Sequence, residues 1–425
     1  MKGVPLKKTA RATLALLGTG VLIASLAGCA NGSSGAGASD PLQFVLSGDG
    51  TQGGGYQKMA DLYQEQTGVE VEIVDVPGDD LTTRLRNSAQ ANDLPALAAA
   101  ANVDPLWKDQ ILDLSQIATD QDILPLLAVP DPEDGKVKAL PTSLTSVGMF
   151  INKSLFDEAG VSYPTDATQS WTWDEFVAKS EEVQAATGAQ YGMVMDNSAH
   201  RLRSFLYEFG SEGIVDDGGT FTANAETKTA LEYFKKLNDD GFMPKSVWTA
   251  GEDASATFKS GQVVSYYSGV WQIADFQSNI TEFEWASVPT PQQPVKATNY
   301  GAASWIVAFD GTGQEEEAQK FIDWLYQPEQ YSAYCEIAGC LPAVTGLEMN
   351  YPANQDAFAL YNAEIAASPA VSSLQTVDQL IGGYEGKFLQ SEPLKDETIK
   401  YLNDQQSVDE TIDNILSTTQ AALGE

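Results

Sequence analysis

In the first hundred positions of the chain, segments with the apolar pattern of a β-strand alternate with segments that have the apolar spacing of an α-helix. Residues 42–47 are a short apolar run and residues 69–76 alternate apolar and polar side chains, so both are predicted strands, and residues 56–67 between them place apolar side chains at helical spacing. A strand, a helix and a strand in this order predict a βαβ unit and therefore a parallel sheet. A further helix is predicted at 80–90 and an apolar strand at 94–101.

A long uncharged run lies about a third of the way along the chain. Residues 139–152 are rich in Leu, Val, Thr and Ser and end in a polar Asn-Lys-Ser, which predicts an extended segment. We expect Ser154 to cap a short helix that Gly160 ends, and a second helix to begin at Thr172 or Asp174. A strand followed by two helices is typical of a crossover between lobes.

Helices and strands continue to alternate through the rest of the chain. Helices are predicted at 172–187, 201–209, 224–241, 254–260, 315–326 and for most of the tail from 356, and strands at 191–195, 263–268 and 285–289. A second nearly uncharged run at 298–309 predicts a return crossover. The alternation predicts the α/β class, and crossovers near 145–152, 302–310 and 350 predict two lobes joined by a hinge.

The N-terminal segment has the pattern of an export signal. A basic stretch, residues 2–11, precedes an apolar run, 14–27, that is too short to span a bilayer. The following Leu-Ala-Gly-Cys, which ends at Cys29, is similar to the lipobox where bacterial signal peptidase cleaves before an acylated cysteine. An ordinary signal peptide with an incidental cysteine is the alternative.

Residues 30–39 consist only of Ala, Asn, Gly and Ser and predict a flexible tether. We therefore expect the folded part to lie at the outer face of the cell membrane, held there by lipid on Cys29, as in Gram-positive bacteria.

Composition supports a folded, acidic protein. The 425 residues, 43% hydrophobic and 9% aromatic, suffice for two domains with ordinary cores. The net charge of -35 becomes -39 when the four positive charges of residues 2–11 leave with the signal peptide. Such a body repels nucleic acid and anionic lipid, so we expect neither as a partner.

Two cysteines remain for the folded part, Cys335 and Cys340. Because disulfides persist outside the cell, we predict a bond between these two residues. A zinc site is a poor alternative, since zinc needs more ligands and His200 is the only histidine.

The loop after the first predicted strand contains the glycine spacing of a dinucleotide site. Residues 48–53 spell G-x-G-x-x-G, and Asp75 follows at the distance expected of a ribose-binding acid. An exported lipoprotein has no nicotinamide pool, and no acid–base set follows the motif. We therefore expect a loop that presents backbone N–H groups, Asp49 and Gln52 to a crevice.

Three motifs of the central stretch resemble those of a known family: GKVKALP at 135–141, FINKSLFDEAGV at 150–161 and WTWDEF at 171–176. They are similar to the extracellular solute-binding proteins of bacterial ABC importers, in the sugar-binding branch that includes maltose-binding protein. Weaker counterparts occur at 269–271, 300–301 and 318–325.

The resemblance implies a two-lobe, type II periplasmic-binding fold with a cleft between the lobes. The implied division is a signal peptide at 1–28, a tether at 29–40, a first lobe from 41–148 and 304–352, and a second lobe from 149–303 and 353–425.

Sugar recognition in such a cleft needs aromatic faces for the C–H patches of the ring and planar polar groups for its hydroxyls. The candidates at loop positions are Trp271, Tyr300, Trp305 and Tyr384 for stacking, and Asp49, Gln52, Asn102, Asp104, Ser143, Asp196, Arg203, Asn299 and Glu385 for hydrogen bonds. Core packing is the alternative for each aromatic residue, and a solvated surface for each acid. Trp171 and Trp173 are predicted to be core residues.

Catalytic patterns are weak. The sequence contains no Gly-x-Ser-x-Gly elbow, His200 stands without a triad motif, and among 59 acids a close pair is expected by chance. We expect a monomeric binding protein without cofactor or metal, whose partners are an oligosaccharide and the permease subunits of the importer. A secreted glycoside hydrolase and a non-transport carbohydrate-binding surface protein remain alternatives.

Overall fold

The structure is a computed structural model that describes residues 40–50, 53–387, 389 and 391–424, without the side chain of Asp79. The predicted signal peptide, Cys29 and most of the tether lie outside the described residues, as does Gln52. Within the described ranges, no helix combines the length and apolar character needed to cross a membrane.

Twelve strands and sixteen α-helices are labelled here in chain order. The strands are β1 Leu42–Leu46, β2 Val71–Asp75, β3 Leu97–Ala100, β4 Leu140–Pro141, β5 Leu144–Asn152, β6 Tyr191–Met195, β7 Val215–Asp216, β8 Phe221–Thr222, β9 Val263–Gly269, β10 Trp285–Val288, β11 Tyr300–Ala302 and β12 Trp305–Ala308. The helices are α1 Gly55–Thr67, α2 Gly78–Ala91, α3 Ser115–Asp120, α4 Lys153–Ala159, α5 Trp173–Thr187, α6 Ala199–Glu208, α7 Ala225–Asp239, α8 Lys245–Ala250, α9 Ala254–Lys259, α10 Gln272–Asn279, α11 Glu315–Leu325, α12 Pro328–Ala338, α13 Gln355–Ala367, α14 Val371–Glu385, α15 Pro393–Leu402 and α16 Val408–Leu423.

The first sheet has the strand order β2-β1-β3-β12-β4. Strands β1, β2 and β3 are parallel, which confirms the predicted βαβ unit, and β12 joins β3 in the antiparallel sense. Apolar side chains of β1 pack under the flanking helices: the Phe44 ring lies 5.1 Å from Tyr56 of α1 and 6.1 Å from Phe321 of α11. This sheet, with α1 to α3, α11 and α12, is called the first lobe.

The second sheet has the order β10-β5-β9-β6, with β11 also paired to β5. Strand β5 is nine residues long and exchanges hydrogen bonds with three other strands. Its Gly148 is required by packing, because a Cβ there would lie 2.3 Å from the Tyr361 ring of α13. This sheet, with α4 to α10 and α13 to α16, is called the second lobe.

The chain passes between the two sheets through short connections. Strand β4 of the first sheet ends at Pro141, and β5 of the second begins at Leu144; the chain returns between Ala302 of β11 and Trp305 of β12. The uncharged runs thus contain the connections between sheets, while the lobe boundaries at 148, 303 and 352 remain predictions.

The helix starts of the central stretch follow the sequence prediction only in part. Helix α5 begins where it was predicted, after Thr172, which caps it through a capping box with Glu175. The predicted cap of α4 is wrong: Asn152 accepts the hydrogen bond from the Leu155 amide, and Ser154 Oγ instead accepts one from the Glu284 amide. Asn and Ser are about equally favourable at the N-cap position. Asn152, which comes first in the chain, is the residue that caps α4.

A buried glutamate organises the core of the second lobe. Glu208 is fully buried and accepts hydrogen bonds from the Trp173 indole at 2.7 Å and the Tyr267 hydroxyl at 2.8 Å. Burial raises the pKa of Glu208 well above its usual range, because the charged form loses its hydration. Trp173 is a core residue, as predicted, while Trp171 is half-buried against the same core.

The predicted Cys335–Cys340 disulfide is absent: both residues are free thiols in the structure. Cys335 is buried in the last turn of α12, and the Cys340 amide continues that turn by donating to the Cys335 carbonyl at 3.1 Å. The helix ends at Gly339, which adopts a left-handed conformation.

Candidate functional site

The loop after β1 is held by carboxylates. Asp75, at the end of β2, accepts hydrogen bonds from the amides of Gly48 and Gly50, at 2.8 and 3.0 Å. Asp49 is buried and accepts from the Tyr56 and Gln57 amides at the start of α1. The spacing that suggested a ribose-binding acid therefore serves the protein's own loop amides.

Asp49 has the electrostatics of a structural cap. Its burial raises the carboxyl pKa, an effect opposed by the two helix amides that donate to it. Contact of Asp49 with a ligand stays a prediction, as does contact of Gln52.

The end of β3 lies at the same edge of the first sheet. Asp104 is buried, pairs with Arg86 at 2.6 Å and accepts from the Leu106 amide. Asn102 accepts from the Val103 amide at 2.9 Å. Both predicted ligand residues thus shape their own loop, and a ligand would share their remaining hydrogen-bonding capacity.

Trp271 lies where β9 leaves the second sheet. It is half-buried, and its ring covers Gly269, where a Cβ would lie only 2.1 Å from the indole. The Arg201 guanidinium carbon lies 4.8 Å from the centre of the indole, and the His200 ring lies 5.9 Å from it. Glycine at position 269 and two neighbours on α6 therefore fix the orientation of the indole.

Asp196, at the end of β6, connects the elements around Trp271. Its Oδ2 lies 2.8 Å from Arg201 Nε and accepts a hydrogen bond from the Tyr266 hydroxyl at 2.8 Å. Since Tyr266 belongs to β9, this carboxylate joins β6, α6 and β9 on one side of the site.

Asn299, which precedes β11, contacts His200. Its Nδ2 lies 2.7 Å from His200 Nδ1 and 2.9 Å from Gln375 Oε1 on α14. Burial, followed by the charges of Arg201 and Arg203, lowers the pKa of His200 to about 3, so the ring is neutral at physiological pH.

Four further predicted ligand residues are largely covered by protein. Ser143, Trp305 and Tyr384 are buried, with the Trp305 ring only 2% exposed, and Tyr300 is half-buried on β11. Trp305 and Tyr384 could meet a ligand only if the surrounding chain moved, so their stacking role stays a prediction.

Besides Asp104 and Asp196, two more predicted ligand residues take part in ion pairs. Arg203 Nη2 lies 3.2 Å from Glu392, and Glu385 lies 3.3 Å from Lys387. Arg203 is on the Trp271 side of the second lobe, two residues from Arg201, whereas Glu385 is exposed at the end of α14.

Contacts at the end of α12 bring the two lobes together. A Cβ on Gly53 would lie 2.8 Å from the Ile337 carbonyl oxygen, and one on Gly339 would lie 3.1 Å from the Ala274 Cβ of α10. The loop after β1 and the start of α10, which follows Trp271, therefore both lie against the last turn of α12. Gly53 of the first lobe and the start of α10 in the second lobe are therefore close to the same helix end.

A second set of contacts joins the lobes through α14. Lys108 Nζ donates to the Tyr384 carbonyl at 2.9 Å, and a Cβ on Gly383 would lie 2.5 Å from the Val103 carbonyl oxygen. The loop after β3 thus touches the C-terminal end of α14, whose N-terminal half contacts His200 through Gln375.

Sequence reasoning missed Arg201 and considered His200 only as a histidine without a triad motif. Both residues lie in the first turn of α6, shortly after Asp196, which was predicted as a ligand residue. The available signal was this position at a strand end. Their contact with Trp271 joins segments about seventy residues apart, which pattern analysis does not reveal.

Within the described ranges, no group of three or more His, Cys, Asp or Glu side chains is arranged to hold a metal ion.

The architecture is that of a two-lobe binding protein. It superimposes on the cyclic alpha-maltosyl-1,6-maltose binding protein from Arthrobacter globiformis with a TM-score of 0.65 and 23% identity, over 90% of this chain and 99% of that chain. At this identity the likeness shows the fold.

The chain belongs to the family of bacterial extracellular solute-binding proteins, which it matches over residues 58–359. A binding protein of Brucella abortus is 26% identical over 263 residues, 60% of this chain and 61% of that protein. The chain thus aligns with about three fifths of the length of this relative. The maltooligosaccharide ABC transporter solute-binding lipoprotein of Streptococcus pneumoniae is 24% identical over 307 residues, 68% of this chain and 69% of that protein.

Proposed function

We propose that this protein is the substrate-binding component of a bacterial ABC importer and that it binds an oligosaccharide between its lobes. The observation that carries the proposal is the half-buried indole of Trp271, which lies beside the Arg201–Asp196 pair at the start of α10. Helix α10 approaches the end of α12 in the first lobe, where a Cβ on Gly339 would lie 3.1 Å from the Ala274 Cβ. An aromatic face next to fixed hydrogen-bonding groups is the combination that a sugar ring requires.

The names of related proteins support the same ligand class. The pneumococcal relative is described as binding maltooligosaccharide and the Arthrobacter protein as binding a cyclic maltosyl-maltose. The ligand leaves unchanged and passes to the permease, so the protein acts by binding.

Closure of the lobes around the ligand would supply the affinity. A ligand that contacts both lobes makes all its hydrogen bonds only in the closed state, and the difference in affinity between the two states shifts the population. The contacts of α12 and α14 across the lobes are the surfaces that would slide or separate in this motion.

The lipid anchor completes the proposal. Cleavage before Cys29 and acylation of its thiol would hold the binding protein, as a monomer, near its permease at the outer face of the membrane. The pneumococcal relative is itself described as a lipoprotein. Metabolic labelling with a palmitate analogue should label the wild-type chain, whereas Cys29→Ala should remain unlabelled.

A thermal-shift screen against maltotriose, raffinose and lactose tests the ligand class, because a ligand that binds the folded state raises its melting temperature.

For the best ligand, Trp271→Ala should weaken binding by about 1 to 3 kcal/mol, since the stacking face is lost. Trp324→Ala is the matched control, because Trp324 is a half-buried indole of the first lobe that donates to Gln66. Calorimetry that shows unchanged affinity for Trp271→Ala would remove Trp271 from the site.

A further inference from the structure

We propose that Arg201 is a specificity-determining ligand contact and that Asp196 is its positioning residue. In this arrangement the outer edge of the guanidinium donates paired hydrogen bonds to two adjacent hydroxyl oxygens of a neutral sugar. The inference rests on the proposed function and adds to it the residue that selects the pattern of hydroxyls.

Arg201 is fixed on three sides. Its Nε lies 2.8 Å from Asp196 Oδ2, and its Nη2 donates to Ser268 Oγ at 3.4 Å. Its guanidinium plane lies over Trp271, with 4.8 Å between the guanidinium carbon and the ring centre. A long side chain held in this way loses little further conformational entropy when a ligand binds.

The remaining donors of Arg201 are available to a ligand. Among the residues that the structure describes, the polar contacts of Arg201 are those of Nε with Asp196 and of Nη2 with Ser268. Nη1 takes part in neither contact, and Nη2 has a second hydrogen beyond the one directed at Ser268. Two N–H groups on a planar fork match a pair of neighbouring oxygens, whereas a lysine ammonium is a point charge without that geometry. Arg201 can therefore distinguish a sugar with two adjacent hydroxyls from one that lacks either of them.

The surrounding charges favour a neutral ligand. Asp196 balances Arg201, Glu392 pairs with Arg203, and His200 is neutral because burial lowers its pKa to about 3. A carboxylate or sulfate bound to the fork would also lie close to Asp196, and the whole chain carries a net charge of -35. Hydroxyl groups meet the same donors without this repulsion.

The test compares wild-type protein with Arg201→Met, Arg201→Lys and Asp196→Asn by titration calorimetry. The probes are the tightest ligand among maltotriose, raffinose and lactose, and the analogues of that ligand that lack one hydroxyl. We expect wild-type protein to bind one or two of the deoxy analogues at least tenfold more weakly than the parent. Arg201→Met should lose this discrimination and bind the parent 10- to 100-fold more weakly, with Arg201→Lys and Asp196→Asn intermediate.

Arg84→Met is the matched control, because Arg84 is exposed on α2 in the first lobe and should change neither affinity nor discrimination. Melting temperatures show that each variant is folded. The inference is overturned if Arg201→Met distinguishes parent from deoxy analogue as wild-type protein does, since the arginine would then only support the indole. Absence of binding by wild-type protein to every probe would overturn the proposed function and this inference with it.

Discussion

At the scale of single residues, the interior contains ionisable side chains whose protonation is set by burial. Burial lowers the pKa of His200, which is neutral beside Trp271, and raises the pKa of Glu208 in the core of the second lobe. Both shifts link folding stability to pH, but in opposite senses.

For His200, the unfolded chain takes up a proton below about pH 6.5 that the folded chain does not accept until about pH 3. The contribution of His200 to the free energy of unfolding is therefore fully present above pH 6.5, and it is lost as the pH falls from 6.5 toward 3. His200→Gln, which titrates nowhere in this range, should lose less stability than wild-type protein between pH 6.5 and 4.5. Urea titrations at several pH values measure the difference, and parallel slopes for the two proteins would contradict the assignment.

For Glu208 the sign is reversed. Its raised pKa means that the folded state binds the proton more tightly, so its contribution is present below about pH 4.5 and is lost as pH rises toward the folded pKa. Glu208→Gln can still accept from Trp173 and donate to Tyr267, without a charge. We expect it to melt at or above the wild-type temperature at pH 8, whereas Glu208→Leu, which leaves both partners unpaired, should melt lower. A large loss in the glutamine variant would show that Glu208 is charged in the fold.

At the scale of helices and strands, features that depend on residues close together in the sequence were predictable. The Thr172–Glu175 capping box and the βαβ order of β1, α1 and β2 are written in neighbouring positions. The cap of α4 was mispredicted because Asn152 and Ser154 compete for the same role. The burial of Trp305 depends on strand pairing between distant segments, so its sequence position could not show it.

Helix α14 provides a test of contact between the lobes. A Cβ on Gly383 would lie 2.5 Å from the Val103 carbonyl oxygen, so Gly383→Ala should push α14 away from the loop after β3. We expect a lower melting temperature and at least fivefold weaker ligand binding. Gly382→Ala is the control in the same helix, since its Cβ would lie 3.2 Å from the Lys387 carbonyl oxygen, within the second lobe. Equal effects of the two variants would mean that the contact with Val103 has no bearing on binding.

At the scale of the whole molecule, family membership and the two-lobe fold agree with the motifs at residues 135–176. The arrangement of the site was less predictable. Trp271, Asp196 and Asn299 come together through Arg201 and His200, and no sequence pattern links these two residues to the other three. Recognition of a sugar depends on the relative placement of side chains from three elements, and that placement arises from tertiary packing.

The central claim is that an oligosaccharide is held between two lobes that close on it. Small-angle X-ray scattering of the folded protein, with and without a saturating amount of the best ligand from the thermal-shift screen, measures this motion directly. We expect a smaller radius of gyration for the wild-type protein with ligand, and a smaller decrease for Trp271→Ala at a ligand concentration just sufficient to saturate the wild-type protein. Identical scattering curves for wild-type protein under saturation, verified by calorimetry, would contradict it.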